Sequence, residues 1–273
     1  MATPPTRLGI IAGSGVLPRQ VISACQACGQ DVFVIAFEGE TDAETVQDIP
    51  HARLHLGRIG EAMKRLKKEH VEQVLMVGRV GRPAFSKLNL DFMAVRLIGR
   101  LARLRRAGDD AIFSSIISFV EDQGFRVVGI KDVLQDNIIG KGPLGKHKPD
   151  DVASNDIQIG RDVALTIGKL DIGQAVIVQR GQVLGVEGPE GTDNLIRRCY
   201  EWRQEGEGGV LIKMKKPGQD DRVDLPAIGV RTVENAHAGG LRGIAVEAGN
   251  ALVIEKEHVI ERADTLGLFI VGI

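Results

Sequence analysis

The sequence predicts an α/β protein of two domains, the first built on a parallel sheet and the second on a mixed sheet. Short apolar runs alternate with longer amphipathic segments through the first half, which is typical of βαβ units. The second half adds a hairpin-like turn at residues 179–182, which indicates antiparallel pairing. With 273 residues, 43% of them hydrophobic and 26% charged, the chain can bury two cores.

Strands of the first half are predicted at apolar runs that end in glycine or in a polar turn, and helices at the amphipathic stretches between them. The predicted strands are residues 8–12, 31–37, 73–77 and 126–130. The predicted helices are residues 18–28, 59–70, 88–106 and 110–123.

Glycine and proline cluster at residues 140–145, and a polar run follows, so we interpret residues 135–154 as a linker. This divides the chain into a nucleotide- or phosphate-binding domain at 1–134 and a catalytic domain at 155–273. The strands predicted for the second domain are 175–178, 183–187, 210–214, 243–247, 252–254 and 268–273. Its predicted helices are 155–170, 192–202, 233–238 and 256–266.

Composition excludes several classes of protein. The net charge is −1 and the chain has only eight Phe, one Trp and one Tyr, which argues against a nucleic-acid-binding surface. No apolar stretch reaches the length of a membrane span, and the N-terminus lacks the pattern of a signal peptide. We therefore expect a cytoplasmic protein.

Cysteine usage agrees with a reducing compartment, since three cysteines do not make a disulfide framework. Cys25 and Cys28 have C-x-x-C spacing but lie in a predicted helix, with no second pair to complete a metal site. We interpret them as ordinary thiols.

A glycine turn between the first strand and the first helix is a candidate anion site. Helix N-termini present backbone N–H groups, and glycine lets a phosphate approach them. The candidate contacts are Gly13, Ser14, Gly15 and Val16. The alternative is a tight structural turn.

The same turn makes the first domain Rossmann-like, although the dinucleotide fingerprint is incomplete because Pro18 replaces its third glycine. Glu38, after the second strand, could bind a ribose. A nicotinamide-dependent oxidoreductase therefore remains an alternative.

The third strand ends at Gly78 and Arg79, where ligands bind in open parallel sheets, and a guanidinium can grip a phosphate. Arg82 is a weaker candidate of the same kind. Asp109 and Asp110 open a predicted helix; capping explains one of them, and the other could bind a sugar hydroxyl or a metal.

Residues 187–193 precede another predicted helix. Thr192 and the backbone at Gly191 could contact a phosphate, and Asp193 a cation; the alternative is ordinary capping.

Residues 213–226 are the most densely charged part of the chain. Lysines at one end could neutralise a pyrophosphate, and carboxylates at the other are the ligands that Mg²⁺ or Mn²⁺ prefers. The alternative is a solvated loop. Candidate substrate contacts are Lys213, Gln219 and Arg222, and candidate metal ligands are Asp193, Asp220, Asp221 and Asp224.

The predicted helix at 88–106 is amphipathic, with arginines beside its apolar face. Such a helix either packs in the protein with a basic edge or lies on an anionic membrane surface.

Four of these segments, residues 11–18, 171–174, 190–193 and 219–226, resemble the LpxI family of UDP-2,3-diacylglucosamine pyrophosphatases. The resemblance covers nearly the whole chain. It implies hydrolysis of a UDP-linked diacylated glucosamine, in lipid A biosynthesis, to UMP and 2,3-diacylglucosamine 1-phosphate (lipid X). It also implies an Mg²⁺ requirement, a site between two domains and a homodimer.

The family's essential aspartate falls on Asp224 through the match Arg222-x-Asp224-x-Pro226, where it would bind Mg²⁺ or activate water. Arg79 departs from the pattern, since many relatives carry Asn or Lys there. A lipid substrate further implies peripheral contact with the cytoplasmic face of the inner membrane. A nucleotide-sugar sensor without catalysis is a second alternative.

Overall fold

The computed structural model describes residues 7–81, 89–102, 109–222 and 225–273. Contacts divide the chain into two units. The first unit runs to Leu134 and includes Asp220, Asp221 and Arg222, and the second takes Gln135–Gln219 and the residues from 225 onward. No helix in the described ranges is both long and apolar enough to span a membrane.

The first unit is built on a five-stranded parallel sheet with the order β3-β2-β1-β4-β5. Its strands are β1 (Arg7–Ala12), β2 (Val32–Phe37), β3 (His51–Leu54), β4 (Val71–Val77) and β5 (Arg126–Val127). Its helices are α1 (Val16–Ala27), α2 (Ile59–Lys68), α3 (Phe92–Ala102) and α4 (Asp109–Glu121). The predicted parallel α/β domain is confirmed.

The apolar pattern explains the interior strands of this sheet. Every residue of β2 is buried, as expected for a strand covered on both faces. Ile35 packs with Leu66 of α2, Val74 of β4 and Ile117 of α4 in one core.

Strand β3 was not predicted, because its sequence is polar. It is an edge strand in which only Leu54 is buried. Its backbone hydrogen bonds to β2 define it as a strand, and its side chains do not alternate between buried and exposed as a strand pattern would. The strand predicted at 126–130 is shorter than expected, since a 3₁₀ turn at Ile130–Asp132 follows β5.

Asp91 fixes the start of two helices of the first unit. Its Oδ1 accepts the N–H of Ala94 at 2.8 Å in α3, and its Oδ2 accepts the N–H of Gly60 at 2.7 Å in α2. This cap begins α3 at Phe92, inside the range of 88–106 predicted from amphipathicity.

The second unit contains a six-stranded mixed sheet with the order β6-β13-β11-β9-β7-β8. Its strands, with the parallel pair β10 and β12, are β6 (Gly142–Leu144), β7 (Ala175–Gln179), β8 (Gln182–Val186), β9 (Val210–Lys213), β10 (Ala227–Ile228), β11 (Gly243–Val246), β12 (Leu252–Val253) and β13 (Phe269–Gly272). Its helices are α5 (Asp151–Lys169), α6 (Thr192–Cys199), α7 (Val230–Ala238) and α8 (Lys256–Leu266).

Strands β9, β11 and β13 are parallel, whereas β7 is antiparallel to both neighbours, so the predicted mixed sheet is confirmed. Arg180 and Gly181, at φ 50° and 79°, make the tight turn between β7 and β8.

Helices cover both faces of this sheet. On one face Ala153 and Ile157 of α5 pack with Val176 and Ile212, and Gly160 lets α5 approach closely. On the other face α6, α7 and α8 pack against alternate strand residues such as Ile177 and Ile244.

The predicted linker at 135–154 differs from the structure, which places it in the second unit. Residues 142–144 form β6, which pairs antiparallel with β13, and α5 begins at Asp151. Strand β6 has only three residues, too few to show an alternation of apolar and polar side chains. It can contain Pro143 because an edge strand tolerates a residue without an N–H. The start of α5 is polar and is fixed by Asp150, which accepts the N–H of Ala153 at 2.8 Å.

Candidate functional site

The turns that follow β1 and β4 meet at the point where the strand order of the first sheet reverses. Ser14 N donates to Arg79 O at 2.8 Å, and Arg79 N donates to Ser14 O at 3.0 Å. In open parallel sheets, ligands bind outside the carboxyl ends of strands at such a switch point. The structure therefore brings together the predicted contacts at residues 13–15 and 78–79.

Gly78 allows the two turns to approach. A β-carbon at Gly78, whose φ is +96°, would lie 2.8 Å from Pro18 Cγ and 2.8 Å from the backbone of Gly13. The Ser14 hydroxyl also donates to Arg79 O, at 3.0 Å. Val16 begins α1, and Arg79, just past the carboxyl end of β4, is exposed.

The loop after β2 brings carboxylates to these turns. Asp42 Oδ2 accepts the N–H of Gly15 at 2.8 Å, and Glu40 Oε2 accepts the N–H of Gly81 at 2.7 Å. Thr41, which is buried, anchors the loop by donating to Ala12 O at 2.5 Å. The Gly15 donor predicted for phosphate is thus committed to Asp42, and a phosphate would reach it only if that carboxylate turned away.

The chain segment at Asp220–Arg222, which belongs to the first unit, is held by ion pairs. Arg222 grips Asp220 with Nε at 2.9 Å and a terminal nitrogen at 2.7 Å, and it donates to Glu121 at 2.8 Å. The hydrogen bonds that Arg222 donates to Asp220 raise the pKa of Arg222 above its usual value. Lys131 pairs with Asp221 at 2.8 Å.

The end of β9 and the start of β7 form a hydrogen-bonded group in the second unit. Met214 N donates to Gln174 O at 2.9 Å, and Gln174 N donates to Glu187 Oε2 at 3.0 Å. The Thr192 hydroxyl donates to Glu187 Oε1 at 2.6 Å. Lys216 pairs with Asp171 at 2.5 Å. We call residues 171–174, 187–193 and 213–219 the β9-end cluster.

Backbone constraints fix the geometry of the β9-end cluster. A β-carbon at Gly173 would lie 2.2 Å from Glu187 O, so the two segments are in backbone contact. Gly191, at φ 79°, caps α6. Lys213 is 8% exposed and donates to Ala227 O at 3.1 Å. Gln219 is buried and accepts the N–H of Lys216 at 3.2 Å.

Two family models match almost the whole chain. The LpxI N-terminal domain matches residues 7–137, and the LpxI C-terminal domain matches residues 140–271. The chain belongs to the LpxI family. A relative from Caulobacter vibrioides, UDP-2,3-diacylglucosamine pyrophosphatase LpxI, is 40% identical over an alignment of 273 positions, and the match covers 98% of this chain and 97% of the relative.

This membership confirms the resemblance drawn from the sequence motifs. The β9-end cluster contains two of the four LpxI segments, residues 171–174 and 190–193. It also contains Gln219, the first residue of the third segment, 219–226. The fourth, 11–18, contains the glycine turn of the first unit.

Three of the predicted metal ligands of this LpxI chain, Asp193, Asp220 and Asp221, take part in ion pairs with basic side chains. Asp193 pairs with Arg231 at 2.9 Å and accepts from Asn235 Nδ2 at 2.8 Å, which ties α6 to α7. Asp220 and Asp221 hold Arg222 and Lys131. Within the described ranges no three His, Cys, Asp or Glu side chains are grouped to bind a metal.

Several predicted residues lie outside the described part of the chain. Asp224 and Arg82 are among them, so the role of Asp224 stays a prediction. Asp109 and Asp110 begin α4 as predicted, but their side chains are also outside it. Glu38 lies 3.1 Å from His55 Nδ1, both half-exposed.

Sequence reasoning missed Asp42, Gln174 and Glu187. Asp42 belongs to an acidic loop directly after the buried strand β2, and Glu187 directly follows β8, which is apolar at Val183, Leu184 and Val186. A polar residue just after an apolar strand could therefore have indicated Asp42 and Glu187 as candidate site residues. The groups that they bind lie in distant parts of the sequence, so the sequence alone did not identify those contacts.

Proposed function

We propose that this LpxI-family chain hydrolyses the pyrophosphate bond of UDP-2,3-diacylglucosamine, releasing UMP and 2,3-diacylglucosamine 1-phosphate. The observation that carries the proposal is the β9-end cluster, in which three segments distant in sequence meet beside three lysines within four residues. A diphosphate needs this kind of concentrated positive charge, because negative charge is shared among its oxygens as the bond breaks.

Lys213 supports this assignment through its burial. A largely buried ammonium acts in a medium of low dielectric constant, where its attraction for a phosphate is stronger than in water. The backbone at the end of β9 is held by Glu247, which accepts the N–H of Lys215 at 2.9 Å. We assign the diphosphate to Lys213, Lys215 and Lys216.

We assign the nucleoside to the surface at the two turns that carry Ser14 and Arg79. Asp42 and Glu40 make its rim acidic, which suits groups that donate hydrogen bonds, such as ribose hydroxyls, better than phosphate. The same carboxylates weigh against a nicotinamide dinucleotide, whose pyrophosphate would lie against the N–H of Gly15.

An Mg²⁺ or Mn²⁺ requirement and an essential Asp224 are part of the proposal, and both rest on the family. Because Asp193, Asp220 and Asp221 are held in other ion pairs, we assign no step of the reaction to a cation. The contribution of this chain's described residues is to bind, orient and neutralise the substrate.

One assay tests the proposed reaction. The purified protein is incubated with UDP-2,3-diacylglucosamine in ¹⁸O water, with Mg²⁺, Mn²⁺ or EDTA, and the products are resolved by mass spectrometry. We expect UMP and the lipid phosphate with the cation present, and the label shows which phosphorus is attacked. If the lipid binds but no UMP forms with either cation, the protein is a sensor; tight NADH binding without hydrolysis favours the oxidoreductase.

We also propose peripheral membrane contact through α3. Phe92 and Val95 are 83% and 54% exposed and lie on one helical face, and Arg96 next to them is exposed too. Apolar side chains beside a cation suit an anionic bilayer surface, where the lipid substrate resides. A homodimer is proposed from the family, and light scattering of the purified protein tests it.

A further inference from the structure

The Glu187 carboxylate is buried and accepts two hydrogen bonds. The residue is 6% exposed, and it accepts from Gln174 N at 3.0 Å and from the Thr192 hydroxyl at 2.6 Å. Across the described residues, no lysine, arginine or histidine is within ion-pair distance of it. A buried carboxylate without an opposite charge is costly, so a carboxylate at this place is best explained by the groups that it holds in position.

The bond to Glu187 decides what Thr192 can offer to a ligand. A hydroxyl has one proton and two lone pairs, and an ionised carboxylate only accepts. With its proton given to Glu187, Thr192 presents only lone pairs to any other group. Phosphate oxygens are acceptors as well, so Thr192 in this state cannot hydrogen-bond to a phosphate. This differs from the phosphate contact predicted from the position of Thr192 at the start of a helix.

From this geometry we infer that Glu187 is a positioning residue that holds Thr192 as a hydrogen-bond acceptor for a hydroxyl group or a water molecule at the reaction site. The inference rests on the proposed function. It assigns Thr192 to a donor such as a sugar hydroxyl or the attacking water, and it leaves the phosphate oxygens to the lysines of the β9-end cluster.

The backbone around Glu187 is independently fixed, which makes the pair testable. Glu187 N donates to Ala175 O at 2.8 Å, and its carbonyl lies against Gly173. A change confined to the Glu187 carboxylate therefore alters the Thr192 hydroxyl without freeing the strand.

The decisive variant is Glu187→Gln, which has the same shape. The N–H of Gln174 can only donate, so the new amide must turn its oxygen toward Gln174 and its NH₂ toward Thr192. Thr192 then accepts from the amide, and its proton becomes available to a phosphate. We expect kcat for UMP release to fall roughly tenfold or more, which is the scale of a lost hydrogen bond to a charged group.

Three further variants complete the test. Thr192→Val should lose as much activity as Glu187→Gln, the double variant should be no worse than either, and Thr192→Ser should retain activity. Thr166→Val is the matched control, because the Thr166 hydroxyl donates to Asp162 O on the exposed side of α5 at 2.8 Å. Thermal melting of every variant separates loss of fold from loss of function.

The outcomes are distinct. Unchanged or increased activity of Glu187→Gln in a folded protein overturns the inference, because Thr192 then acts as a donor. Additive losses in the double variant overturn it too, because the two residues then act separately. If the wild-type protein releases no UMP, the proposed function fails and the inference fails with it.

Discussion

A β-carbon at Gly13 would lie 2.3 Å from the carbonyl oxygen of Arg79. The turn after β1 and the turn after β4 are thus in backbone contact, and Ser14 and Arg79 exchange two N–H···O bonds across it. The close contact of the two turns is enough to require glycine at residue 13, whether or not a ligand binds there. Any ligand contact at the turn depends on the two strands ending side by side.

Substitution of Gly13 by alanine should therefore separate the two turns. We expect Gly13→Ala to destabilise the protein by about 1–3 kcal/mol, the usual cost of forcing atoms into a packed site, and to raise KM. Urea unfolding and substrate kinetics measure the two effects. Gly99→Ala is the control, since nothing lies within 4 Å of its added β-carbon in α3 and it should stabilise by about 0.5–1 kcal/mol. Equal stability of Gly13→Ala and wild type would contradict the contact.

The elements predicted from the sequence are those whose own residues carry the pattern. β2 is apolar throughout, and Gly181 readily takes the positive φ that the turn between β7 and β8 needs. β3, β6 and β10 were missed because none of them lies in a longer apolar run: β3 is polar, β6 contains Pro143, and β10 is two residues between Pro226 and Gly229. Hydrogen bonds to a strand elsewhere in the chain define such strands, and a local window does not contain that partner.

The candidate site shows the same division. Its segments were found from motifs, because charge and glycine spacing are local. The acceptor that each donor binds could not be found in this way, because only the fold brings Asp42 to Gly15 and Glu187 to Gln174. This is why Gly15 and Thr192 were assigned to phosphate, although the structure commits their protons to carboxylates.

We expect Asp224 to be essential for activity and Asp193 to be dispensable. Asp224→Asn should lower kcat by at least roughly 10²-fold, the scale of a lost general base or ligand, while lipid binding and melting temperature stay near wild type. Asp193→Asn is the matched control, since Asp193 already pairs with Arg231 and Asn235. It should retain activity and lose no more than about 1 kcal/mol of stability. Equal inactivation of both variants would place Asp193 at the reaction centre.

The α3 face predicts membrane binding that depends on apolar side chains and on charge. Replacing Phe92 and Val95 by serine should weaken sedimentation with phosphatidylglycerol-containing vesicles by roughly tenfold, since about 1.5–3 kcal/mol accompanies burial of each large apolar side chain and part of this is realised at a surface. Phosphatidylcholine vesicles and high salt serve as controls. Activity on detergent-dispersed substrate should be unchanged. Binding that survives both substitutions would exclude this face.

The three cysteines should differ in reactivity because of their burial. Burial raises the pKa of the Cys25 thiol to about 11, and it also raises the pKa of Cys199. Both are protonated at pH 8 and shielded, whereas Cys28 is exposed. A thiol reagent such as Ellman's should label one cysteine rapidly in the native protein and all three in urea. Rapid native labelling at Cys25, located by peptide mapping, would contradict its buried position.

Asp150 predicts a pH dependence of stability. The N–H of Ala153, followed by Arg242, holds the pKa of this carboxyl below its usual value of 3.8. A carboxyl whose pKa is lower in the folded state stabilises the fold above its unfolded pKa, and this contribution is lost as the pH falls below about 4. Asp150→Ala should therefore lower the urea midpoint at pH 7, and the difference from wild type should shrink toward pH 3. Asp150→Asn keeps a capping side chain without the charge, so it should lie between the two at pH 7. A difference that is constant from pH 7 to pH 3 would mean that Asp150 acts without its charge.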